Sequence, residues 1–483
     1  MAEAPARSPS SGRDAGWLVS ADLVAVGLAF LGQVVLVRAL AAEHYGWMVL
    51  AVDLYASIFL VIDLGLPTLL ARDGANDPES VRRAVHRIYR LQALAALPFV
   101  LLAVVLRPDA LLNMAPPTLL LVLAGMTALV HVASYAPRSA LRALGEARME
   151  AVSKVIERSV TVGGYVLLAW QGSTSVVAFM LAFLVGATFG WLVALGAMVR
   201  VAPAGKAPVW ERLGADWTTQ RGLLFAALPF AITLAVLPYV VRLEKFLVAA
   251  AGGPTLAAVF HVAQLAWLAG LVVPAAVRAA LLPVLGQVRD RPAAVRTELN
   301  RALDMCFGVL PYGLFGGYLV VVVLAPVAFP SAYLDGTYGA SAVDLFAVLL
   351  AGWAATLLAT PTYANLLAGW RPWRFTQFIF AVLLVAAVVG YVLVVRMATT
   401  DGAVLVAAAL ASSLSGVMLL VFSWTMSGQQ AFVLHRRDEW CLVGLCTLFV
   451  VVGLATHSWW WLLGLPLFAF TPQGWRAVRS TLS

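Results

Sequence analysis

The residues of this 483-residue chain that can carry chemistry are ionisable side chains set inside long apolar stretches. The densest group is Arg242, Glu244 and Lys245, in which Arg242 and Lys245 are three positions apart and share one helix face. A charge inside a membrane helix costs roughly 3 kcal/mol or more unless it meets a partner or a wet cavity. Two cations on one face predict an anionic ligand, although a pair with Glu244 would explain part of the cluster.

Other ionisable residues in apolar stretches have both a functional and a structural interpretation. Arg38 ends the first apolar stretch and can extend its guanidinium to the interface, and Arg278 can be an interfacial anchor. Asp63 can serve helix packing alone, and Asp53 lies in the same apolar stretch. His261 is either a hydrogen-bonded interhelical residue or a proton relay. The sequence leaves these alternatives open.

The chain has no recognisable catalytic constellation. Its six histidines include no pair at the i,i+4 spacing of a helical metal site, and no Gly-Lys-Ser/Thr phosphate loop is present. The three cysteines, Cys306, Cys441 and Cys446, lie in apolar runs and are assigned to packing. We therefore predict a transporter without a metal or cofactor, rather than an enzyme.

The composition of the chain identifies the class of protein to which these residues belong. The chain is 62% hydrophobic and 12% charged, with a mean hydropathy of +0.91. Soluble domains carry about 25% charged residues. The apolar residues also form runs of about 20, enough to cross a hydrocarbon core of about 30 Å. The sequence predicts an all-α polytopic membrane protein.

Apolar runs between charged or Pro/Gly-rich breaks predict about fourteen transmembrane helices. The predicted spans are 17–40, 46–70, 89–106, 116–137, 152–170, 175–199, 222–249, 255–285, 304–329, 340–367, 375–395, 403–426, 440–455 and 458–475. The predicted regions are a disordered tail (1–16), a six-helix lobe (17–200), a linker (201–221), a second six-helix lobe (222–426) and two final helices (427–483). Because six is even, the two lobes would have parallel topology. The linker is either a short amphipathic helix on the membrane surface, with Trp217 at the interface, or a plain solvated connection.

The distribution of basic residues predicts the orientation. With the N-terminus in the cytosol, the 32 Lys and Arg residues fall on the cytosolic side except Arg38, Arg107, Arg242, Lys245 and Arg396. Both termini are therefore predicted to be cytosolic. The formal charge of +8 is explained by this rule and by contact with anionic lipid, so no nucleic-acid partner is expected.

Several short segments resemble the polysaccharide flippases, the oligosaccharide-lipid exporters of the multidrug/oligosaccharidyl-lipid/polysaccharide superfamily. In the first lobe, Tyr45, Gly46, Asp63 and Gly65 belong to matching segments. The matching segments are Val37-Arg38-Ala39-Leu40, Glu43-His44-Tyr45-Gly46, Asp63-Leu64-Gly65-Leu66, Arg242-Leu243-Glu244-Lys245-Phe246-Leu247, Pro283 and Tyr338-Gly339. Many members have Asp at the position of Glu244.

The resemblance implies two lobes around a central cavity and translocation of a polyprenyl-diphosphate-linked oligosaccharide to the outer leaflet by alternating access. It also implies a monomer that works beside polysaccharide polymerase machinery. Its location would be the inner membrane of a bacterium, with an archaeal plasma membrane as the alternative. By position, Arg242 and Lys245 would bind the diphosphate, with Arg38 and Arg278 as weaker candidates. Glu244 and Asp53 would couple transport to an ion.

Competing interpretations remain. A multidrug antiporter of the same superfamily would share the fold, and its cavity would favour carboxylates and aromatic rings over the Arg242/Lys245 pair. A flippase for a lipid-linked peptidoglycan precursor is a closer variant. A major-facilitator transporter is disfavoured because Ala71-Arg72-Asp73-Gly74 matches its signature poorly. An integral membrane glycosyltransferase is the alternative from another class.

Overall fold

The computed structural model describes residues 11–105, 117–203, 213, 217–288, 290–368 and 372–427, with isolated positions 441, 444, 445, 448 and 452. Within these residues the chain forms helices, turns and short connections, and no strand. The chain divides into two compact units, Met1–Ala235 and Val236–Ser483. The predicted span 440–455 apart from those isolated positions, the predicted span 458–475, the first ten residues of the predicted tail and most of the linker lie outside the described residues.

The helices of the first unit follow the predicted order. They are α1 (Ser11–Ala39), α2 (Ala42–Asp63), α3 (Leu66–Asp73), α4 (Val81–Val105), α5 (Thr118–Ala143), α6 (Ala147–Trp170) and α7 (Val176–Val201). The connections after α1 and α6 are as short as predicted, and the Ser175 hydroxyl caps α7 by accepting the Ala178 N–H at 3.4 Å.

The second unit continues with long helices. They are α8 (Gln220–Gly270, which begins in the first unit), α9 (Val272–Val288), α10 (Pro292–Pro311), α11 (Gly317–Ala328), α12 (Ala342–Ala368), α13 (Pro372–Gly390) and α14 (Asp401–Ser427). Two π-helical segments, Tyr312–Gly316 and Tyr391–Met397, extend α10 and α13. The first directly follows Pro311, whose missing N–H removes a helical hydrogen bond.

The observed helix bounds differ from the predicted spans in a systematic way. Helices α4, α6 and α10 begin five to twelve residues earlier than predicted, at Val81, Ala147 and Pro292. Apolar runs indicate only the part of a helix that matches the hydrocarbon core, whereas the helix itself continues through charged residues beyond it. Helix α1 likewise begins at Ser11, so the last six residues of the predicted disordered tail are helical.

The predicted span 46–70 is not one helix. Helix α2 ends at Asp63, and Leu64 and Gly65 both adopt left-handed conformations, with φ of 56° and 67°. Such a conformation is unfavourable for a residue with a Cβ such as Leu64. The break redirects the chain into α3, so the Asp63–Gly65 segment is a corner rather than the middle of a helix.

Eight helical segments of the described chain are long and apolar enough to cross a membrane. They are Ala42–Asp63, Thr118–Ala143, Val176–Val201, Arg242–Arg278, Pro292–Ala328, Ala342–Leu366, Gln377–Met397 and Asp401–Ser427. The segment Arg242–Arg278 contains the non-helical residue Gly253 and is therefore not one straight helix. A shorter apolar helix covers Val24–Ala39. The chain is therefore a multi-pass helical membrane protein, and the total of about fourteen spans remains a prediction.

One core of the first unit lies where α3, α4, α5, α7 and the start of α8 meet. Trp217 is fully buried in it and contacts the same cluster as Leu70, Ile88, Leu141 and Leu223. The predicted linker therefore ends in a core residue rather than at the membrane surface or in solvent. Because Trp217, Leu223 and Ala227 belong to this core, the division between units falls inside α8 instead of in the predicted linker.

In the second unit, α12 and α14 approach closely through small residues. A Cβ on Gly416 would lie 2.4 Å from the Gly352 carbonyl oxygen, so both backbones depend on the absence of a side chain. The Ser413 hydroxyl donates to the Val348 carbonyl across this interface at 2.6 Å. Glycine thus allows these two membrane helices to pack backbone against backbone.

Candidate functional site

The predicted charged cluster lies on the first arm of a helical hairpin within α8. Gly253 has φ 81° and ψ −178°, a backbone conformation that is essentially restricted to glycine. It reverses the chain and brings the Lys245 ammonium within 3.2 Å of Nδ1 of His261 on the second arm. Lys245 is 2% exposed and His261 8%. The structure therefore pairs Lys245 with His261, for which the sequence allows either an interhelical hydrogen bond or a proton relay.

The neighbouring Glu244 points towards another helix. It is buried, and the Ser415 hydroxyl of α14 donates to its Oε1 at 3.4 Å. Arg242 is half-buried. The cluster therefore separates into a lysine that contacts the second arm of α8, a glutamate that contacts α14, and a more accessible arginine.

Arg278 lies in the second unit, in contact with an aromatic residue. Its guanidinium carbon is 5.7 Å from the ring centroid of Tyr363 on α12, within the range of a cation–π interaction. The Tyr363 ring is in turn 6.4 Å from that of Phe378 on α13. Arg278 thus has an intramolecular neighbour, and the second unit contains both this residue and the Arg242/Lys245 pair.

The remaining predicted residues lie in the first unit. Arg38 is exposed at the end of α1, whereas Asp53 on α2 is buried. The Tyr45 hydroxyl donates to Oε1 of Gln33 at 2.7 Å, which joins the first turn of α2 to α1, and Gly46 is buried beside it. Tyr45 is fully buried. This pair therefore has a clear structural role in fixing the first two helices.

Asp63 also occupies a structurally defined position. The Gly65 N–H and the Gln92 side-chain amide of α4 both donate to its carboxylate, the latter at 3.3 Å. Asp63 is 3% exposed. The carboxylate therefore stabilises the corner after α2 and connects it to α4, which agrees with the packing interpretation.

The strongest ionic network of the first unit was not predicted as a site. On α5 and α6, Arg138 Nη2 lies 2.7 Å from Glu157 Oε2, and His131 Nε2 lies 3.2 Å from Glu157 Oε1. Arg138 Nε also donates to the Ser153 hydroxyl at 3.1 Å. Glu157 is 3% exposed and Arg138 8%. The sequence predicts Arg138 as one of the basic residues of the cytosolic side, and the structure pairs its guanidinium with Glu157 inside the unit.

A second carboxylate, Glu150, lies seven residues earlier on the same face of α6. It is 1% exposed, accepts Nε of Arg142 at 3.0 Å and lies 3.3 Å from the Lys154 ammonium. Helix α7 fits against the network through Gly190, where a Cβ would lie 2.6 Å from Cβ of Glu157. Three helices of the first unit therefore meet at buried ionic contacts.

The two regions differ in the charges that they present. The first unit offers a carboxylate shared by an arginine and a histidine, and the second offers buried and half-buried cations on one hairpin. In the part of the chain that the structure describes, no three His, Cys, Asp or Glu residues are grouped as a metal site would require.

Residues 11–289 match the family described as polysaccharide biosynthesis protein. The match covers more than half of the sequence. The chain belongs to this family. No curated protein sequence is significantly similar to it. This membership confirms the family that the short segments of α1, α2 and α8 had indicated.

Solved structures identify the fold of this polysaccharide biosynthesis family member. An inward-facing multidrug resistance MATE family transporter of the MOP superfamily has a TM-score of 0.64 and 16% identity, covering 83% of this chain and 94% of that one. The lipid II flippase MurJ, in an inward closed conformation, has a TM-score of 0.62 and 12% identity, covering 96% and 95%. A MOP superfamily transporter from Pyrococcus furiosus, for which a binding pocket of reverse polarity is described, has a TM-score of 0.55 and 14% identity, covering 86% and 96%. The chain therefore has the fold of MOP superfamily transporters.

Proposed function

We propose that this protein moves a polyprenyl-diphosphate-linked oligosaccharide from the cytosolic to the outer leaflet of the inner membrane by alternating access. The observation that carries the proposal is that the chain belongs to the polysaccharide biosynthesis protein family. Its fold is also similar to that of a lipid II flippase. A glycan head group cannot cross hydrocarbon unaided, whereas its lipid tail can stay in the bilayer. Such a substrate needs polar groups within a membrane fold and no bond-forming chemistry.

The cations of the second unit are the proposed diphosphate ligands. Arg242 is half-buried and can form bidentate hydrogen bonds with phosphate oxygens, so we assign it the first contact. Lys245 is already within hydrogen-bond distance of His261, and its transfer to a phosphate requires that contact to open. Arg278 is a secondary ligand in this proposal, and Arg38 of the first unit stays a prediction of the resemblance. We also propose that Glu244 and Asp53 couple transport to an ion, as the family resemblance implies.

The second candidate function is ion-coupled export of a small molecule. The fold similarity to a multidrug resistance transporter favours it, since the TM-score is as high as that with the flippase. The chemistry of the second unit separates the two functions: a pair of cations suits an anionic diphosphate better than the cationic drugs that carboxylates would bind.

The decisive experiment measures the leaflet distribution of the lipid-linked oligosaccharide after deletion of the gene, using a membrane-impermeant probe for the outer pool. We expect the oligosaccharide to accumulate on the cytosolic side and surface polysaccharide to be lost. An unchanged distribution in a strain without another exporter would reject the flippase function. Altered drug susceptibility in that strain would then support the small-molecule antiporter.

Complementation with variants tests the residues. The double variant Arg242→Gln/Lys245→Gln should fail to restore outer-leaflet oligosaccharide, because the diphosphate loses two cationic ligands. Arg396→Gln is the control, because it also removes an arginine charge but lies far from the hairpin in sequence. Arg396 is near the end of the π-helical segment Tyr391–Met397, where its guanidinium lies over the Tyr391 ring. Full export by the double variant at wild-type protein levels would remove these residues from the site. Reporter fusions at both ends test the proposed cytosolic termini.

A further inference from the structure

One face of helix α4 is exposed and changes character along the helix. Ile88 belongs to the opposite face and is fully buried in the core of the first unit. Along the exposed face the side chains are basic from Arg82 to Arg90 and apolar after that, where Leu94 is 60% exposed and Leu97 54%. A basic surface is therefore followed directly by exposed leucines on a single helix.

The basic part of this face consists of Arg82, Arg83, His86, Arg87 and Arg90, and we call it the α4 basic surface. At 3.6 residues per turn, the five positions fall within about 140° around the helix axis. His86 and Arg90 are exposed, and the other three residues are half-buried. These side chains thus form one continuous patch instead of being distributed around the helix.

Carboxylates do not balance the charge of this patch. Helix α4 contains four arginines and no aspartate or glutamate. In the corner before it, the Asp73 carboxylate contacts Nε of Arg72 at 2.6 Å and accepts the Trp217 indole N–H at 3.4 Å. Asp77 of the same corner is 4% exposed, whereas Glu79 is exposed. The α4 basic surface therefore keeps an excess of positive charge.

The exposed leucines indicate the depth of the α4 basic surface in a bilayer. The predicted membrane span 89–106 begins within α4. Lipid tails are as apolar as leucine, so the exposed Leu94 and Leu97 are suited to contact with them. Arg90 precedes Leu94 by one helical turn, about 6 Å along the axis. Because the headgroup layer is roughly 5–7 Å thick on each side of the hydrocarbon core, Arg90 lies at the level of the lipid phosphates.

We infer that the α4 basic surface binds the headgroups of anionic phospholipids, such as phosphatidylglycerol, where the helix leaves the hydrocarbon core. Guanidinium groups form bidentate, charge-assisted hydrogen bonds with phosphate oxygens. The tails of the same lipid can cover Leu94 and Leu97, whereas an acidic soluble protein would contact the arginines alone. A phospholipid therefore matches both parts of the exposed face. The inference does not depend on the proposed transport function.

Helix α10 of the second unit provides a comparison within the same chain. It also begins with charged turns, and Arg296 and Arg301 are exposed there. However, α10 also carries two carboxylates, Glu298 and Asp304, whereas α4 carries none. The positive-inside rule gives carboxylates little weight and treats the two helices alike. A headgroup phosphate is repelled by carboxylates, so we expect selective binding of anionic lipid at α4 and not at α10.

The experiment measures the thermal unfolding midpoint of the purified full-length protein in an uncharged detergent as phospholipid is added. A ligand that binds the folded protein raises this midpoint with its concentration, which gives an apparent dissociation constant. We expect phosphatidylglycerol to raise the midpoint, and phosphatidylcholine, whose headgroup has no net charge, to have little effect at the same mole fraction. Added salt should weaken the effect of phosphatidylglycerol, because salt screens charges at a surface.

The variant Arg82→Gln/Arg90→Gln removes two charges and leaves the contact of Arg87 with the Trp217 carbonyl in place. Each basic residue near an anionic membrane surface accounts for about a fivefold change in affinity, so we expect about 10–30-fold weaker binding of phosphatidylglycerol. Arg82→Lys/Arg90→Lys keeps the charge and should retain most of the affinity. If the first variant does not fold, Arg90→Gln alone replaces it, because Arg90 is exposed, and the expected loss is then about fivefold.

The matched control is Arg296→Gln/Arg301→Gln on α10, which also removes two arginines. We expect this variant to bind phosphatidylglycerol with the wild-type affinity. Three results would overturn the inference: wild-type affinity in Arg82→Gln/Arg90→Gln, equal stabilisation of the wild type by phosphatidylcholine, or an equal loss of affinity in the α10 control.

Two further probes separate the phospholipid from other phosphate compounds. We expect inorganic pyrophosphate to protect the protein much less than phosphatidylglycerol, and equal protection would indicate a general phosphate site and overturn the inference. A polyprenyl diphosphate without sugars, bound through the same two arginines in preference to phosphatidylglycerol, would assign the surface to the transported lipid and would also overturn it. None of these measurements requires transport, so a failure of the proposed flippase function is distinguishable from a failure of the phospholipid site.

Discussion

The Lys245 ammonium lies 3.2 Å from Nδ1 of His261, although sixteen residues separate them along the chain. In a continuous α-helix the same separation would be about 24 Å at 1.5 Å per residue. The contact therefore exists only because Gly253 reverses α8 between them. The environment of the buried Lys245 therefore depends on the turn at Gly253.

Removing His261 should destabilise the second unit. His261→Ala deletes a hydrogen-bond partner of a lysine that is 2% exposed, and the loss of a partner by a buried polar group costs about 1–3 kcal/mol. His261→Gln retains an acceptor and should lose less. Thermal unfolding in detergent measures both, with His44→Ala as the exposed control. Equal midpoints for the Ala and Gln variants would show that the contact contributes little.

Substitution of Gly253 should be costly even though space is available for a side chain. Nothing lies within 4 Å of a Cβ at this position, so the cost of Gly253→Ala comes from its φ of 81° and is about 1–3 kcal/mol. Gly163→Ala is the matched control, because it also faces open space but lies inside helix α6. We expect a lower unfolding midpoint and a smaller folded yield for Gly253→Ala alone. A result equal to that of Gly163→Ala would show that the turn tolerates a side chain.

Hydropathy predicted the class of fold and most helix positions because the bilayer selects for length and apolarity, which one sequence displays directly. It did not predict where α2 ends. Residues 46–70 are mostly apolar. The break depends on Asp63 accepting the Gly65 N–H and contacting Gln92, which belongs to a helix about thirty residues away. Hydrogen bonds between helices are not visible in a hydropathy profile.

The ionic network of the first unit was missed for a related reason. The positive-inside rule uses Arg138 only as a signal of the cytosolic side and does not indicate whether its guanidinium faces lipid, water or a neighbouring carboxylate. A signal was nevertheless present. His131 and Arg138 are seven residues apart, as are Glu150 and Glu157, so each pair lies on one face of its helix. Opposite charges at the same spacing on consecutive helices predict an interhelical ion pair.

Gly190 should be required for this network. A Cβ there would lie 2.6 Å from Cβ and 2.9 Å from Oε2 of Glu157, so Gly190→Ala must displace α7 or the carboxylate. We expect a loss of about 1–3 kcal/mol, typical of overpacking. Gly196→Ala on the same helix meets nothing within 4 Å and should be neutral or slightly stabilising. Unfolding midpoints measured side by side decide this, and equal values would mean that α7 adjusts without cost.

Apart from the charged residues of the membrane-spanning helices, Trp217 should be the residue whose truncation lowers the stability of the protein most. It is fully buried in the first unit, its carbonyl accepts Nη1 of Arg87 at 2.7 Å, and its indole N–H donates to Oδ2 of Asp73 at 3.4 Å. Trp217→Ala leaves a cavity, and such truncations cost about 3–5 kcal/mol. Trp217→Phe keeps most of the ring and loses only the hydrogen bond to Asp73, so its cost should be closer to 1 kcal/mol.

The matched control for Trp217 is Trp170→Ala, because Trp170 is 83% exposed at the end of α6. Surface substitutions usually change stability by no more than about 0.5 kcal/mol. The unfolding midpoint should therefore fall in the order Trp170→Ala, Trp217→Phe, Trp217→Ala. The backbone contact from Arg87 to residue 217 survives in all three proteins, as does the packing of Leu223 in the same core. If Trp217→Ala unfolds at the wild-type temperature, the segment before α8 is held by other contacts and the indole is not its anchor.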